Sequence, residues 1–395
     1  MRRHRLFAGY SIAAALLCFP YASASAAEPF EIQVMLPLTG AAAFLGLGEQ
    51  ITLQLVEKAV NASGGIAGRP IKFTLKDDQS NPQVSVQIAN EIIAAKPAII
   101  LGSSLVASCR AISPVMQNGP VNYCFSPGIH PDKGSYTFTS SVSTTDIINA
   151  QIRYFRLSGV KRIALLVSTD ATGQDAESSV RQVLALPENK EMSLVSAAHF
   201  NTSDVSVSAQ IETIKAADPQ AFIAWSTGTP IGTIFRAMAA AAFNKVPTVT
   251  TSGNMTYAQM EQYEAFLPDE LYFPVAEWVI RDPQLLAPGM AEQHAAFYAS
   301  YASVGKKPDI SSELAWDPAM IAVTALRKLG TDATAAQVHD FISHLKGYAG
   351  VDGVFDFEKI PQRGLDVSSA VVTRWNKKSE TWDVVSKPTG IPLGK

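Results

Sequence analysis

Side chains that catalyse reactions or bind metals are scarce in this sequence of 395 residues. It holds 3 cysteines and 6 histidines, and the pair His339 and His344 has no preceding cysteine pair to complete a zinc site. A Gly-x-Ser-x-Gly nucleophile elbow is absent. Gly46 and Gly48 match only part of a dinucleotide fingerprint, whose third glycine is missing. The sequence therefore predicts no enzyme, no metal site and no cofactor.

Long apolar runs and an excess of basic charge are also lacking. The formal net charge is −3, so no basic surface indicates nucleic-acid binding. The apolar run over residues 6–19 is too short for a membrane span, which takes about 20 residues. It follows the basic residues Arg2, Arg3 and Arg5 and precedes small residues near Ala26. This pattern predicts a signal peptide over residues 1–26, cleaved on export to the periplasm.

What the sequence does contain is an alternation of strands and helices. A strand is predicted over residues 32–36, then a helix with apolar residues at steps of four, then a second strand over residues 71–75. The segment Asn61–Gly65 ends the helix, because glycine readily adopts the left-handed conformation there. Such a βαβ unit predicts parallel strands with a right-handed crossover.

The same stretch resembles the start of a periplasmic solute-binding protein of the leucine/isoleucine/valine type. The resemblance rests on an ordered series of short motifs rather than on any single one. The motifs are Leu36-Pro-Leu-Thr-Gly40, Phe44-Leu-Gly46, Asn61-Ala-Ser-Gly-Gly-Ile66, Gly68-Arg-Pro70, Asp77-Asp78 and Asn81-Pro82. The resemblance implies a type I periplasmic binding fold. It also implies that the protein is a monomer and serves an ABC importer.

The βα pattern restarts after residue 143, which predicts two doubly wound, Rossmann-like lobes. We assign residues 27–142 and 277–350 to lobe 1, and residues 143–276 and 351–395 to lobe 2. The chain is expected to cross between the lobes near residues 136–143, 271–276 and 350–357. Three crossings would form a hinge about which the lobes close.

Ligands of open α/β sheets bind beyond the carboxyl ends of the strands. This rule and the family resemblance together predict a ligand site in the cleft. The predicted residues are Phe44, Leu45, Ser104, Val106, Ala107, Ser108, Ile129 and His130 in lobe 1, and Asp170, Thr172, Trp225, Thr227, Gly228, Asn254 and Tyr257 in lobe 2. Three of these have other possible roles: Trp225 in the core, His130 in a surface loop, and Tyr257 at a helix start.

The resemblance also implies the kind of ligand. Family members hold a carboxylate on the loop around Val106, Ala107 and Ser108, where helix amides favour an anion. Members that bind amino acids present tyrosines and a glutamate to the ammonium group. No carboxylate occupies those positions here, so we expect a carboxylic acid with an aromatic or hydrophobic body. Asp170 leaves a hydrophobic amino acid as the alternative.

The two mature cysteines, Cys109 and Cys124, are predicted to form a disulfide, since an exported protein folds in an oxidising compartment. Two buried thiols remain the alternative. The expected function is delivery of a small carboxylate to the membrane permease of an ABC transporter. Alternatives are presentation of the ligand to a membrane receptor and, with the least support, an exported enzyme.

Overall fold

The computed structural model of the protein describes Met1 and residues 28–394. The rest of the predicted signal peptide, residues 2–26, lies outside the described residues. Of the helices that are described, none has the length and apolarity needed to span a membrane. Export and cleavage therefore stay predictions.

Lobe 1 is built on a parallel five-stranded sheet with the order β2-β1-β3-β4-β5. Its strands are β1 (Phe30–Leu36), β2 (Ile71–Asp77), β3 (Ile99–Gly102), β4 (Val121–Cys124) and β5 (Thr137–Thr139). The connecting helices are α1 (Ala43–Ala62), α2 (Pro82–Ala94) and α3 (Val106–Ile112). All residues of β3 and β4 are buried, as expected for strands covered by helices on both faces.

Local sequence accounts for where helix α2 begins. The ring of Pro82 suits the first helical position, where no N–H is needed. The Asn81 side chain accepts a hydrogen bond from the Gln83 N–H at 2.9 Å, which caps the helix. Helix α2 packs against α3.

Lobe 2 is built on a seven-stranded sheet with the order β14-β13-β10-β9-β8-β6-β7. Its first segment consists of α4 (Thr144–Leu157), β6 (Arg162–Ser168), α5 (Ala171–Leu184), β7 (Ser193–Phe200), α6 (Ser208–Ala216), β8 (Ala221–Trp225), α7 (Ile231–Ala240), β9 (Thr248–Val249), α8 (Tyr257–Gln262) and β10 (Leu271–Ala276). The strands up to β10 are parallel.

The chain then returns to lobe 1 before ending in lobe 2. The returning elements are α9 (Met290–Ala302), α10 (Ile310–Leu329), α11 (Ala335–Ser343), β11 (Lys346–Ala349) and β12 (Val354–Asp356). Helix α10 packs along α1. The final elements are β13 (Ala370–Asn376), β14 (Thr381–Val384), β15 (Ser386–Lys387) and β16 (Ile391–Pro392). Strands β13 and β14 continue the sheet of lobe 2 as an antiparallel hairpin.

The prediction of two doubly wound lobes with a three-segment hinge is confirmed, and strands occupy part of each segment that was expected to cross. Residues 136–143 include strand β5, and residues 271–276 form strand β10 of the lobe 2 sheet. The predicted boundary at residue 350 falls inside the β11–β12 hairpin. The chain crosses after β5, after β10 and between β12 and β13. Strands β5 and β10 were not predicted because they gain their backbone hydrogen bonds from partners distant in sequence.

Arg363 holds two parts of the hinge region together. Its buried guanidinium donates to the carbonyl oxygens of Ser140 and Ser141 at 3.4 and 3.1 Å, on the first crossing. It also donates to the carbonyls of Pro127 and Ile129 at 3.1 and 2.6 Å. The crossing that carries Arg363 is therefore bonded to the loop that follows β4, which reaches the cleft.

Candidate functional site

The carboxyl ends of β3 and β4 form one wall of a cavity between the lobes. The parallel arrangement of the two strands brings the loops that follow them to the same edge of the sheet. Helices α1 and α10 complete this wall with apolar side chains. Its lining residues are Leu45, Ser104, Leu105, Val106, Ser126, Pro127, Gly128 and Leu314.

The opposite wall comes from lobe 2 and is rich in hydroxyl groups. It is built by the starts of α4 and α5 and by the loops after β8 and β9. Trp225, the last residue of β8, supplies its aromatic surface and is 2% exposed. The lining residues are Thr144, Thr172, Asp175, Trp225, Thr227, Thr251, Ser252 and Gly253.

The two lobes are closed over this cavity. Its volume is about 30 Å³, which accommodates only one or two water molecules. The Thr229 N–H donates to the Ala41 carbonyl across the cleft at 3.3 Å, and the Ile310 N–H donates to the Met255 carbonyl at 3.1 Å. A ligand larger than a few atoms therefore requires the lobes to separate before it enters.

A disulfide joins Cys109 of α3 to Cys124 at the end of β4, with a Cα–Cα distance of 6.1 Å, and the predicted pairing is confirmed. The bridge packs against Val106 and Ile129. It therefore ties the start of α3 to the loop after β4, so that two segments of the lobe 1 wall are covalently connected.

A carboxylate from lobe 2 lies at the cavity, and it is Asp175 rather than Asp170, the acidic residue that the sequence predicted there. Asp175 of α5 lines the cavity and is 6% exposed. Its Oδ1 lies 2.7 Å from His130 Nε2 and 3.6 Å from an Arg110 guanidinium nitrogen, both in lobe 1. Its Oδ2 has no hydrogen-bond partner among the described residues. The strand-end rule missed Asp175 because it lies one turn inside a helix, on the same face as Thr172.

A second carboxyl lies directly behind the lobe 1 wall. Glu49 of α1 is fully buried, and its Oε2 lies 2.5 Å from the Ser104 hydroxyl. Burial raises the pKa of Glu49 to about 8, so it is predominantly a neutral acid at pH 7. The sequence carried a signal of this position, since Leu45, Glu49 and Leu53 follow one another at steps of four on the apolar face of the helix.

The structure brings six of the fifteen predicted ligand residues to the cavity. These are Leu45, Ser104, Val106, Thr172, Trp225 and Thr227. The role of each in ligand binding remains a proposal.

Two predicted polar contacts are made elsewhere. The Ser108 hydroxyl bonds to the Ser85 hydroxyl at 2.8 Å, on the side of α3 that faces α2 rather than the cavity. Asp170 caps α5 by accepting from the Gly173 N–H at 3.0 Å. Both side chains therefore stabilise helix positions, and Asp170 is not the carboxylate at the cavity.

Asn254 and Gly228 together fix the loops of lobe 2. The buried Asn254 amide accepts from the Gly228 N–H at 2.9 Å and donates to the Ser226 carbonyl at 2.7 Å. Gly228 has a positive φ of 85° and lies against the Ala41 backbone of lobe 1. Asn254 thus acts within the lobe, whereas Gly228 lies at the contact between the lobes.

The remaining predicted residues surround the cavity without lining it. Tyr257 packs edge to face on Trp382, with ring centroids 4.6 Å apart. His130 bonds to Asp175, as described above. Phe44, Ala107 and Ile129 lie beside lining residues but are absent from the cavity surface itself. Sequence alone does not say which side of a loop faces a neighbour, and that is where these predictions differ from the structure.

Metal binding has no support in the part of the chain that the structure describes. No group of three or more histidine, cysteine, aspartate or glutamate side chains there is placed to hold an ion. The site therefore offers hydroxyls, backbone amides, apolar surface and two buried carboxyls, a set that suits reversible binding of a small organic molecule.

Comparison with known proteins agrees with this architecture. A model of the periplasmic binding protein family matches residues 29–380. A Leu/Ile/Val-binding protein homolog 1 from Brucella abortus (strain 2308) is 32% identical over 100 residues, and the match spans about a quarter of either chain (25% and 26%).

Solved structures resemble the chain over nearly its whole length. An extracellular ligand-binding receptor from Rhodopseudomonas palustris HaA2 superposes with a TM-score of 0.79 at 18% identity, covering 90% of this chain and 99% of that one. The branched-chain amino acid transporter substrate binding protein LivJ from Streptococcus pneumoniae, in complex with isoleucine, gives 0.75 at 18% identity, covering 91% and 99%. At such identities the likeness concerns the fold.

Proposed function

The chain belongs to the periplasmic binding protein family, and from that premise we propose that it captures a small hydrophobic carboxylic acid in the periplasm. We further propose that it delivers this acid to the membrane permease of an ABC importer. The observation that carries the proposal is the cavity that both lobes enclose. A ligand that contacts both walls favours the closed form, which is the state a transporter can distinguish from the open one.

The lobe 1 wall supports an acid group in the ligand. The first N–H groups of a helix have no partner within the helix, and the first intrahelical bond of α3 is made by Cys109. The amides before it lie beside the hydroxyls of Ser104 and Ser126, which line the cavity. Amide and hydroxyl donors of this kind bind carboxylates without requiring a lysine or arginine.

The rest of the lining supports a hydrophobic body. Leu45, Val106 and Leu314 from lobe 1 face Trp225 from lobe 2. An aromatic or branched aliphatic group buried among them would be stabilised by about 25 cal/mol per Å² of apolar surface removed from water. The lobes must open somewhat wider than they are here to admit it.

A hydrophobic α-amino acid is the second candidate, and Asp175 is the observation that favours it. An ammonium group would find an acceptor in Asp175 Oδ2, which has no partner among the described residues. We place this candidate second because His130 and an Arg110 guanidinium nitrogen already lie against Asp175 Oδ1. A buried ammonium is stabilised chiefly by a counter-charge that is not shared.

A thermal-shift panel tests the proposal. Benzoate, 3-phenylpropionate and 3-methylpentanoate are compared with benzamide, which is neutral. We expect at least one acid, but not benzamide, to raise the melting temperature, because a ligand present at 100 times its Kd stabilises by about 2.7 kcal/mol. Two results would contradict an acid-binding site. One is stabilisation of the protein by benzamide as large as that by benzoate, and the other is a lack of stabilisation by any of the acids.

Isoleucine and 3-methylpentanoate decide between the two candidates, since they differ only in the ammonium group. We expect the deaminated acid to bind at least as tightly. Asp175→Asn then reports on the carboxylate, with Glu177→Gln as a matched control. Glu177 lies on the same helix and is likewise paired with a histidine and an arginine, at 2.7 and 2.6 Å, but outside the cavity. A loss of roughly tenfold or more in affinity for isoleucine but not for 3-methylpentanoate, seen in Asp175→Asn and not in Glu177→Gln, would favour the amino-acid candidate.

A further inference from the structure

Glu49 is a buried carboxyl whose hydrogen-bond partner lines the cavity. Its side chain is 0% exposed and, within residues 28–394, forms one hydrogen bond, to Ser104, a residue that lines the cavity. The other oxygen, Oε1, has no hydrogen-bond partner among the described residues. In this part of the chain, the carboxyl of Glu49 is therefore bonded solely to a hydroxyl that a ligand would touch.

The protonation state of Glu49 decides what Ser104 can offer. A serine hydroxyl has one hydrogen to donate, and an ionised carboxylate can only accept. With Glu49 ionised, Ser104 must donate to it and presents lone pairs to the cavity. With Glu49 as a neutral acid, the acid O–H donates to Ser104, and the serine hydrogen is free to turn toward the cavity.

The surroundings favour the neutral acid. The charged groups that face Glu49 are Asp78, which follows β2, and Asp309 and Glu313 at the start of α10. All three are acidic; Asp78 and Glu313 are fully buried and Asp309 is partly buried. Desolvation by burial is the largest influence on Glu49, followed by the Ser104 hydrogen bond, which acts in the opposite direction. These acidic neighbours further disfavour ionisation.

We propose that Glu49 is a positioning residue that, as a neutral acid, orients the Ser104 hydroxyl as a hydrogen-bond donor to the ligand's carboxylate. This inference rests on the proposed function, since it requires an acid group at the lobe 1 wall. In this scheme the protonation state of Glu49 controls which ligands bind. An anionic ligand binds while Glu49 is protonated and is repelled once Glu49 has lost its proton.

The test measures the Kd of benzoate and 3-phenylpropionate by calorimetry from pH 6 to pH 9.5, a range in which neither ligand titrates. In the wild type we expect a constant Kd below about pH 7. Above pH 8 the Kd should rise by up to about tenfold per pH unit, because ligand binding is linked to the proton on Glu49. In Glu49→Gln this pH dependence is expected to vanish, since an amide N–H donates to Ser104 at every pH.

A control variant and a second measurement keep the outcome interpretable. Asp78→Asn alters a neighbouring carboxyl that bonds to Ser103 at 2.5 Å, and neither residue lines the cavity. It is expected to keep a pH-dependent Kd. Should Glu49→Gln fail to fold, the wild type alone suffices: titrations at pH 8.5 in two buffers of different ionisation enthalpy are expected to reveal uptake of a fraction of one proton on binding.

Three outcomes would overturn the role of Glu49 while leaving acid binding intact. They are a Kd that stays flat to pH 9.5, the wild-type pH dependence persisting in Glu49→Gln, and binding without proton uptake at pH 8.5. Tighter binding above pH 8 would also overturn it, because loss of the proton from Glu49 can only weaken the binding of an anion in this scheme. Failure of benzoate, 3-phenylpropionate and 3-methylpentanoate alike to bind at any pH would instead remove the proposed function.

Discussion

Closure of the lobes depends on a glycine at the point where they touch. Gly228 follows β8 in lobe 2 with a φ of +85°, and a Cβ built on it would lie 2.4 Å from the Ala41 carbonyl oxygen in lobe 1. Real Cβ atoms do not approach a backbone oxygen that closely, and backbone cannot move aside as a flexible side chain can. Gly228→Ala is therefore expected to prevent full closure.

The size of the effect follows from the contact distances. Restoring an ordinary contact of about 3.4 Å takes a separation of roughly 1 Å at this point. The neighbouring bond from the Thr229 N–H to the Ala41 carbonyl, now 3.3 Å, would then exceed hydrogen-bond length. Its loss alone weakens the closed form by about 0.5–1.5 kcal/mol, or roughly 2- to 12-fold in the closed population. The affinity for any ligand whose bound form keeps this contact between the lobes should fall by at least that factor.

Two measurements report the effect. Calorimetry with 3-phenylpropionate or isoleucine gives the loss of affinity. Small-angle X-ray scattering, with and without ligand, reports the radius of gyration directly. We expect Gly228→Ala to remain more open than the wild type under both conditions.

Gly159→Ala separates closure from backbone strain. Gly159 also lies in lobe 2 and has a φ of +89°, but a Cβ there would meet nothing within 4 Å. Both substitutions place alanine in the left-handed region, which costs roughly 1–2 kcal/mol of stability. Only Gly228→Ala should alter affinity and scattering. Equal behaviour of the two variants would refute the reasoning, since strain alone would then account for the result.

Two further predictions concern stability. Burial raises the pKa of Glu313 above its ordinary value, so its stabilising contribution is present at low pH and is lost as pH rises through the raised pKa. In urea titrations, Glu313→Gln should therefore be more stable than the wild type at pH 8 and gain little at pH 5; an equal gain at both values would contradict this. Reducing the disulfide between Cys109 and Cys124, which are 15 residues apart, should lower the unfolding free energy by about 3 kcal/mol. An unchanged urea midpoint after reduction would show that packing alone holds α3 against β4.

The alternation of strands and helices was enough to predict the two lobes, because buried parallel strands appear in the sequence as short apolar runs. Strand β8, Ala221–Trp225, is buried at all five positions, and its short, wholly apolar sequence is typical of a buried strand. Strands β5 and β10 were assigned to crossings instead. Their pairing with β4 and with β9 and β13 depends on residues distant in sequence, which no local pattern records.

The cavity was predicted less completely, for a related reason. The rule that ligands bind at strand ends selects loops, and it brought Ser104 and Thr227 into consideration. It does not select residues inside helices, so Asp175 and Glu49 were missed. It also cannot tell that Ser108 turns toward Ser85, since that depends on how two helices pack. Side chains that brace a loop and side chains that face a ligand look alike in sequence.

The contacts between the lobes limit how much a ligand needs to contribute. Shifting a two-state equilibrium from 1:99 to 99:1 takes about 5.5 kcal/mol. Direct bonds from Thr229 and Ile310 and the pairing of Asp175 with His130 already join the closed lobes. At about 0.5–1.5 kcal/mol for each bond, they offset part of the entropy lost on closure. A small acid that contacts both walls can then complete the shift with few atoms, which is consistent with a cavity whose specificity depends on a small number of polar groups.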